Sequence, residues 1–199
     1  DVPIRMGERT YPFSLSRAAL PGTAFPIHFV ECPALYGRPA TYTSDPDEPV
    51  RFALLTRAAL ESCQRMGWSP EVLHVHDWHT ALGPVYLRTH YGWDRLFDRT
   101  KTVLTIHNLA YQGAFPARTL HDLGLAEHSR LFRRESLARG AIGFLETGIL
   151  HADAITAVSE TYAREIRTPE HGMGLDDLLR ARSGSVVGIV NGIDAKEWD

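Results

Sequence analysis

The sequence predicts an α/β fold in which a parallel sheet is covered by helices on both faces. Three observations predict it. Short apolar runs rich in β-branched residues alternate with helical stretches along most of the chain. Helix-start and helix-stop residues punctuate the alternation. Polar side chains recur at the C-terminal ends of the apolar runs, which is the edge where open α/β sheets bind ligands.

The elements follow in order. Val2 to Leu20 mixes short apolar stretches with Gly7 and Pro12 and predicts a hairpin or an irregular excursion. Pro26 to Glu31 predicts a buried strand, followed by a loop rich in Pro, Gly, Tyr and Ser from Pro33 to Pro49. The cluster Ser44-Asp45-Pro46-Asp47-Glu48-Pro49 predicts a turn and a helix start, with acidic residues and a proline suited to a first turn. Phe52, Leu55, Ala59 and Cys63 recur at helical spacing through Met66, and Gly67 stops that helix. Val72 to His76 is a strand, Trp78 to His90 a helix closed by Gly92, and Thr102 to Ile106 a second strand. Loop and helical material runs from Ala110 to Leu150, with an apolar helix near Ala141 to Leu150. Asp153 to Val158 is a further strand, Ser159 caps a helix through Ile166, and Val186 to Val190 is the last strand. Strands alternating with helices imply the parallel, two-sided arrangement.

Composition narrows the function. At 199 residues the chain suits one domain, or one with part of another, and can bury a real core. A net charge of -3 gives no basic footprint for nucleic acid, and no Lys/Arg run suggests a membrane surface. No stretch approaches the roughly 20 apolar residues needed to span a bilayer, and the polar first ten residues do not form a signal peptide. Two cysteines, Cys32 and Cys63, fit a reducing cytoplasm. A start at Asp1 and a stop at Asp199, just past a strand-end motif, suggest a piece excised from a longer protein.

The strand tips carry the chemistry. His74, His76, Asp77 and His79 invite a metal reading, because an H-x-H pair sets two imidazoles on one strand face. The order H-V-H-D-W-H opposes it, since two-zinc hydrolases show H-x-H-x-D-H, and no H-E-x-x-H or cysteine pair adds ligands elsewhere. The plainer reading packs His74 and His76 in the sheet and sets His79 against the next helix. Asp77 enters a helix from a strand tip, where helix N-terminal amides would hold its carboxylate and leave it free to accept from hydroxyls. His107 either satisfies loop amides or faces a ligand. Its neighbours Asn108, Tyr111 and Gln112 offer donors, acceptors and a flat face, and Gly113 gives the backbone room for a ligand. Such a set suits a polyhydroxylated ligand, with Trp78, Tyr111 and Phe115 serving as sugar-ring faces or as core. Asn191-Gly192 is a turn at that same edge. The run His171 to Asp176 is a flexible loop rather than a phosphate cradle. Signatures for dinucleotides, NTPases and serine hydrolases are missing.

Together the stretches HVHDWHTALGPVYL (74–87), TVLTIHNLAYQGAFP (102–116), GILHADAITAVSETYAREI (148–166), EHGMGLDDLLRAR (170–182) and GIVNGIDAKEWD (188–199) resemble bacterial glycogen synthase and plant starch synthase. FVECPALYGR (29–38) and RFALLTRAALE (51–61) fit the same family, so the similarity is collinear over nearly the whole chain. The resemblance implies a Rossmann-like, doubly wound parallel sheet, the partial N-terminal, acceptor-side domain of a GT-B glycosyltransferase, spanning residues 1–199. It implies retaining transfer of glucose from ADP-glucose to the 4-hydroxyl at the non-reducing end of an α-1,4-glucan, with no cofactor and no metal. By motif position, Asp77 would bind a sugar hydroxyl and His107 would sit beside the anomeric centre. Asn108, Tyr111 and Gln112 would shape that wall, Asn191 would contact the glucosyl group, and His79 joins them through its place in H-D-W-H. The family's K-x-G-G-L-G loop and its second domain, with an Arg/Lys pair and an active-site Glu, have no counterpart here. The piece alone is therefore expected to be inactive. Two alternatives stand beside this reading, a metal-dependent hydrolase built on the HVHDWH cluster and a non-catalytic glucan-binding domain.

Overall fold

The computed structural model describes residues 1–43, 45–194 and 198, so Ser44 of the expected turn and the end of the last family-like stretch lie outside the described residues. Strands β1 (Val2–Met6), β2 (Arg9–Ala19) and β3 (Pro26–Glu31) precede helices α1 (Pro33–Tyr36) and α2 (Glu48–Arg65). Then come β4 (Val72–His76), α3 (Asp77–Thr80), α4 (Gly83–Thr89), β5 (Lys101–Ile106), β6 (Ala114–Pro116), α5 (Thr119–Asp122), α6 (Arg134–Ala138) and β7 (Ala141–Gly143). The chain closes with α7 (Phe144–His151), β8 (Ala154–Ala157), α8 (Glu160–Glu165), α9 (Asp176–Ala181) and β9 (Val186–Gly188).

The central sheet is parallel, in the order β4-β5-β8-β9. Each crossover steps in the same direction, which is one half of a doubly wound arrangement, and right-handed crossovers put the connecting helices on a single face. The register shows which one. Val75, Leu104, Ile155 and Val186 form one row across the four strands and all are buried. A side chain added at Gly83 of α4 would strike Val75 and Leu73, and one at Gly148 of α7 would strike Leu104, so α4 and α7 press directly on this row. Alternation sends the next row to the other face, where His76, Thr105, Thr156 and Val187 are aligned. That face carries polar groups, and its outer members Val72 and Val187 are about half exposed.

Four expectations need correction. The run Pro26 to Glu31 is a strand, but it joins β2 in a separate antiparallel sheet, β1-β2-β3, and is largely exposed. The tight connection at Pro21-Gly22, closed by Leu20 N–H donating to Phe25 O, returns the chain on its own neighbour before it can reach the parallel sheet. The helix expected from Trp78 to His90 is two short helices, because Pro84 has no N–H to continue the first ladder and instead sits in the first turn of α4. Ala141 to Gly143 pair with β6 as a strand before α7 begins. The last strand ends at Gly188 rather than Val190, although Ile189 N–H still donates to Ala157 O. The expected hairpin at the start is present, turning at Gly7 with φ +58°.

Candidate functional site

The C-terminal tips of β4 and β5 are neighbours, so the residues that follow them meet. Asp77 adopts φ +50°, the left-handed region that a short polar side chain tolerates better than most. This turn swings its carboxylate toward β5, where Oδ1 accepts from His107 N–H at 2.8 Å and from Asn108 N–H at 3.4 Å. The amides holding Asp77 are thus those of the adjacent strand's loop and not, as expected, those at the start of its own helix. Sequence alone does not show this link across 30 residues.

The histidines form a ladder on the sheet face opposite α4 and α7. His74 Nε2 lies 2.6 Å from Thr105 Oγ1, which lies 2.6 Å from Thr156 Oγ1. The rings of His74 and His76 stack with centroids 4.3 Å apart. His76 Nδ1 then meets His107 Nε2 at 3.0 Å. Burial lowers the pKa of His74 and of His76, and the neighbouring imidazoles lower both further, with Asp77 opposing the shift at His76. The ladder therefore favours neutral rings, able both to donate and to accept.

The wall beyond His107 is built on backbone contacts. Asn108 Oδ1 accepts from Ala110 N–H at 3.0 Å, and Leu109 N–H donates to the Tyr162 hydroxyl at 2.8 Å, tying the loop to α8. Tyr111 is well exposed. Gln112 Nε2 donates to Met173 O at 3.0 Å, joining the wall to the glycine-rich 171–176 loop, where Met173 itself has φ +48°. Gly113, with φ +62°, lies so close to Trp78 that a Cβ would sit 2.5 Å from the indole ring. Trp78 is consequently core, packed against Phe52 and Phe115 rather than open to a ligand. His79 belongs to the same aromatic cluster, between Tyr42 and Phe52, with Nε2 buried and unpartnered. Burial lowers its pKa, while Asp77 and Glu48 act in the opposite sense. Asn191 follows β9 on the same sheet edge, exposed and two strands from β5, without a hydrogen bond to Asp77 or His107. The structure thus brings Asp77, His107 and Asn108 into direct contact, sets Tyr111 and Gln112 beside them, and leaves His79 and Asn191 apart.

Tyr162 and Thr105 escaped sequence reasoning. A helix-capping motif hid the first, and a β-branched strand hid the second. Among the described residues no group of three or more His, Cys, Asp or Glu side chains is placed to hold a metal ion.

The starch synthase catalytic domain family matches residues 2–181. The chain belongs to that family. It is 45% identical over 175 residues to a glycogen synthase of Desulforudis audaxviator, covering 87% of this chain and 34% of that protein. It is 44% identical over 201 residues to glycogen synthase 2 of Geobacter sulfurreducens, covering 98% and 41%. The catalytic domain of starch synthase IV from Arabidopsis thaliana, solved with ADP and acarbose, superposes with a TM-score of 0.88 at 30% identity over 100% of this chain and 41% of that one. The chain spans about two fifths of the length of these relatives or less. Membership in the family fixes the α/β glycosyltransferase fold and disfavours the metal-hydrolase and binding-only alternatives.

Proposed function

We propose that this chain forms the acceptor-side domain of a glycogen or starch synthase, which transfers glucose with retention from ADP-glucose to the 4-hydroxyl of an α-1,4-glucan. The observation that carries the reading is the Asp77 carboxylate gripping the His107 and Asn108 amides at the rim of two adjacent parallel strands. That contact gathers an acceptor, an imidazole and a carboxamide on one sheet edge, as a polyhydroxylated ligand requires. In this reading His107 sits beside the anomeric carbon, Asp77 accepts from a sugar hydroxyl, and Asn108, Tyr111 and Gln112 line the glucosyl wall. Asn191 contacts the sugar from the β9 side, and His79 joins the substrate-binding set through its place in H-D-W-H. The ADP and acarbose bound to the solved starch synthase IV relative fit these two substrate classes. Cys32 and Cys63, both free thiols, suit the cytoplasm where such enzymes work.

None of the rim residues named here is a Lys or an Arg. A departing diphosphate needs fixed positive charge, which a second domain would supply, while the oxocarbenium-like sugar needs acceptors and negative charge beside it. The test is ADP release from ADP-glucose with a glycogen primer. The polypeptide carrying both domains releases ADP and lengthens α-1,4 chains, whereas residues 1–199 alone give no turnover. Absence of ADP release from the longer polypeptide would overturn the assignment, and turnover by residues 1–199 alone would overturn the half-site.

A further inference from the structure

His76 is held more firmly than the residue it touches. Its backbone N–H donates to Thr80 Oγ1 at 2.7 Å, and that hydroxyl donates back to His76 O at 3.0 Å. Its ring stacks on His74, which is itself fixed through Thr105 and Thr156. His107 is exposed, and the contact of its Nε2 with His76 Nδ1 is its side chain's one hydrogen bond among the described residues. A nitrogen-to-nitrogen hydrogen bond holds one proton, so one ring must donate and the other accept. With His107 Nε2 committed to His76, its Nδ1 is a lone pair where Nε2 donates and an N–H where Nε2 accepts, so the tautomer of one ring dictates that of the other.

We propose that His76 is a positioning residue that sets the ring plane and tautomer of His107 for contact with a sugar hydroxyl. The proposal rests on the placement of His107 beside the reacting sugar given above. His76 touches no substrate in this scheme and acts only through His107. The Thr156–Thr105–His74 chain extends the same support inward, so the rim imidazole is braced from inside the sheet.

The test combines a spectroscopic and a kinetic readout on the intact, two-domain protein. In imidazole 15N–1H correlation spectra near neutral pH, His107 should show the two well-separated nitrogen shifts of a single tautomer. His76→Phe keeps a ring to stack on His74 but has no nitrogen, and should move the His107 shifts toward the average of both tautomers. It should also lower kcat about tenfold with KM nearly unchanged. His76→Asn places an amide near the Nδ1 position and should recover most of the lost kcat. Averaged His107 shifts in the unsubstituted protein, or shifts unmoved by His76→Phe, would overturn the proposal. Since the unsubstituted spectrum is informative by itself, a variant that fails to fold leaves the test intact. Lack of turnover in the unsubstituted protein sinks the transferase reading, while the nitrogen shifts still decide the role of His76.

Discussion

At the scale of single residues, Asp77 concentrates two opposing demands. Its φ of +50° strains the backbone, and its Oδ1 repays the strain by accepting two amides from the next strand's loop. Asparagine tolerates the same φ and keeps an Oδ1 acceptor, so Asp77→Asn should change stability by less than about 1 kcal/mol. Alanine keeps the strain and loses the acceptor, and because water reaches this rim the penalty is moderate, about 1–2 kcal/mol. Urea unfolding of both variants measures the difference, and equal stabilities would show that the carboxylate does not hold the turn. Under the proposed function the charge is also needed at the sugar, so Asp77→Asn should keep the fold while lowering turnover of the two-domain protein, by about a hundredfold. Nothing in the string H-V-H-D-W-H announces a left-handed Asp, although its position between a strand and a helix points to the rim.

At the scale of elements, the strands of the parallel sheet were legible because β-branched runs such as Thr102 to Ile106 have few alternatives. The capping role of Ser159 was legible too, and its Oγ accepts from Tyr162 N–H at 2.9 Å. The antiparallel placement of Pro26 to Glu31 was not, since alternation along one strand says nothing about which partner it finds. Nor was the group that closes α7 at its C-terminal end, although the end itself was legible to within one residue. There Arg182, 33 residues from Ile149 along the chain, donates to Ile149 O at 2.7 Å, Leu150 O at 3.1 Å and Ala152 O at 2.6 Å. A guanidinium satisfying the last carbonyls of a helix cancels both unpaired acceptors and the negative end of its dipole. Arg182→Met keeps much of the stem and removes the donors, and should destabilise the chain by about 2 kcal/mol. A thermal melt unchanged by the substitution would show that water serves these carbonyls equally well.

At the scale of the whole molecule, several imidazoles are folded into places that resist protonation. His74, His76, His79, His90 and His151 are all held below the ordinary histidine value, with burial the first cause in each. His90 is the extreme case, pushed down to about 4 by burial and then by the charges of Arg57 and His128. Its Nδ1 lies 3.1 Å from Thr89 Oγ1, and its ring packs edge-on against Tyr86 in the core. In the unfolded chain His90 takes its proton near 6.5, and in the folded chain only near 4. Between those values the unfolded state binds more protons, so stability rises with pH across that window. The contribution of His90 is complete above 6.5 and is lost as the pH falls toward 4. Asp47, drawn down by its hydrogen bond to Arg38, acts with the same sign but only below its ordinary value of 3.8, so the two windows separate. Urea midpoints measured from neutral pH downward should therefore fall well before the carboxylates titrate. His90→Asn, which keeps a polar atom facing Thr89 without an ionisable ring, should make the upper limb shallower, leaving the smaller share of the other depressed histidines, and leave the lower one in place. An upper limb as steep in His90→Asn as in the unsubstituted chain would mean that His90 is protonated in the folded state without penalty, and would shift the acid sensitivity to the rim histidines.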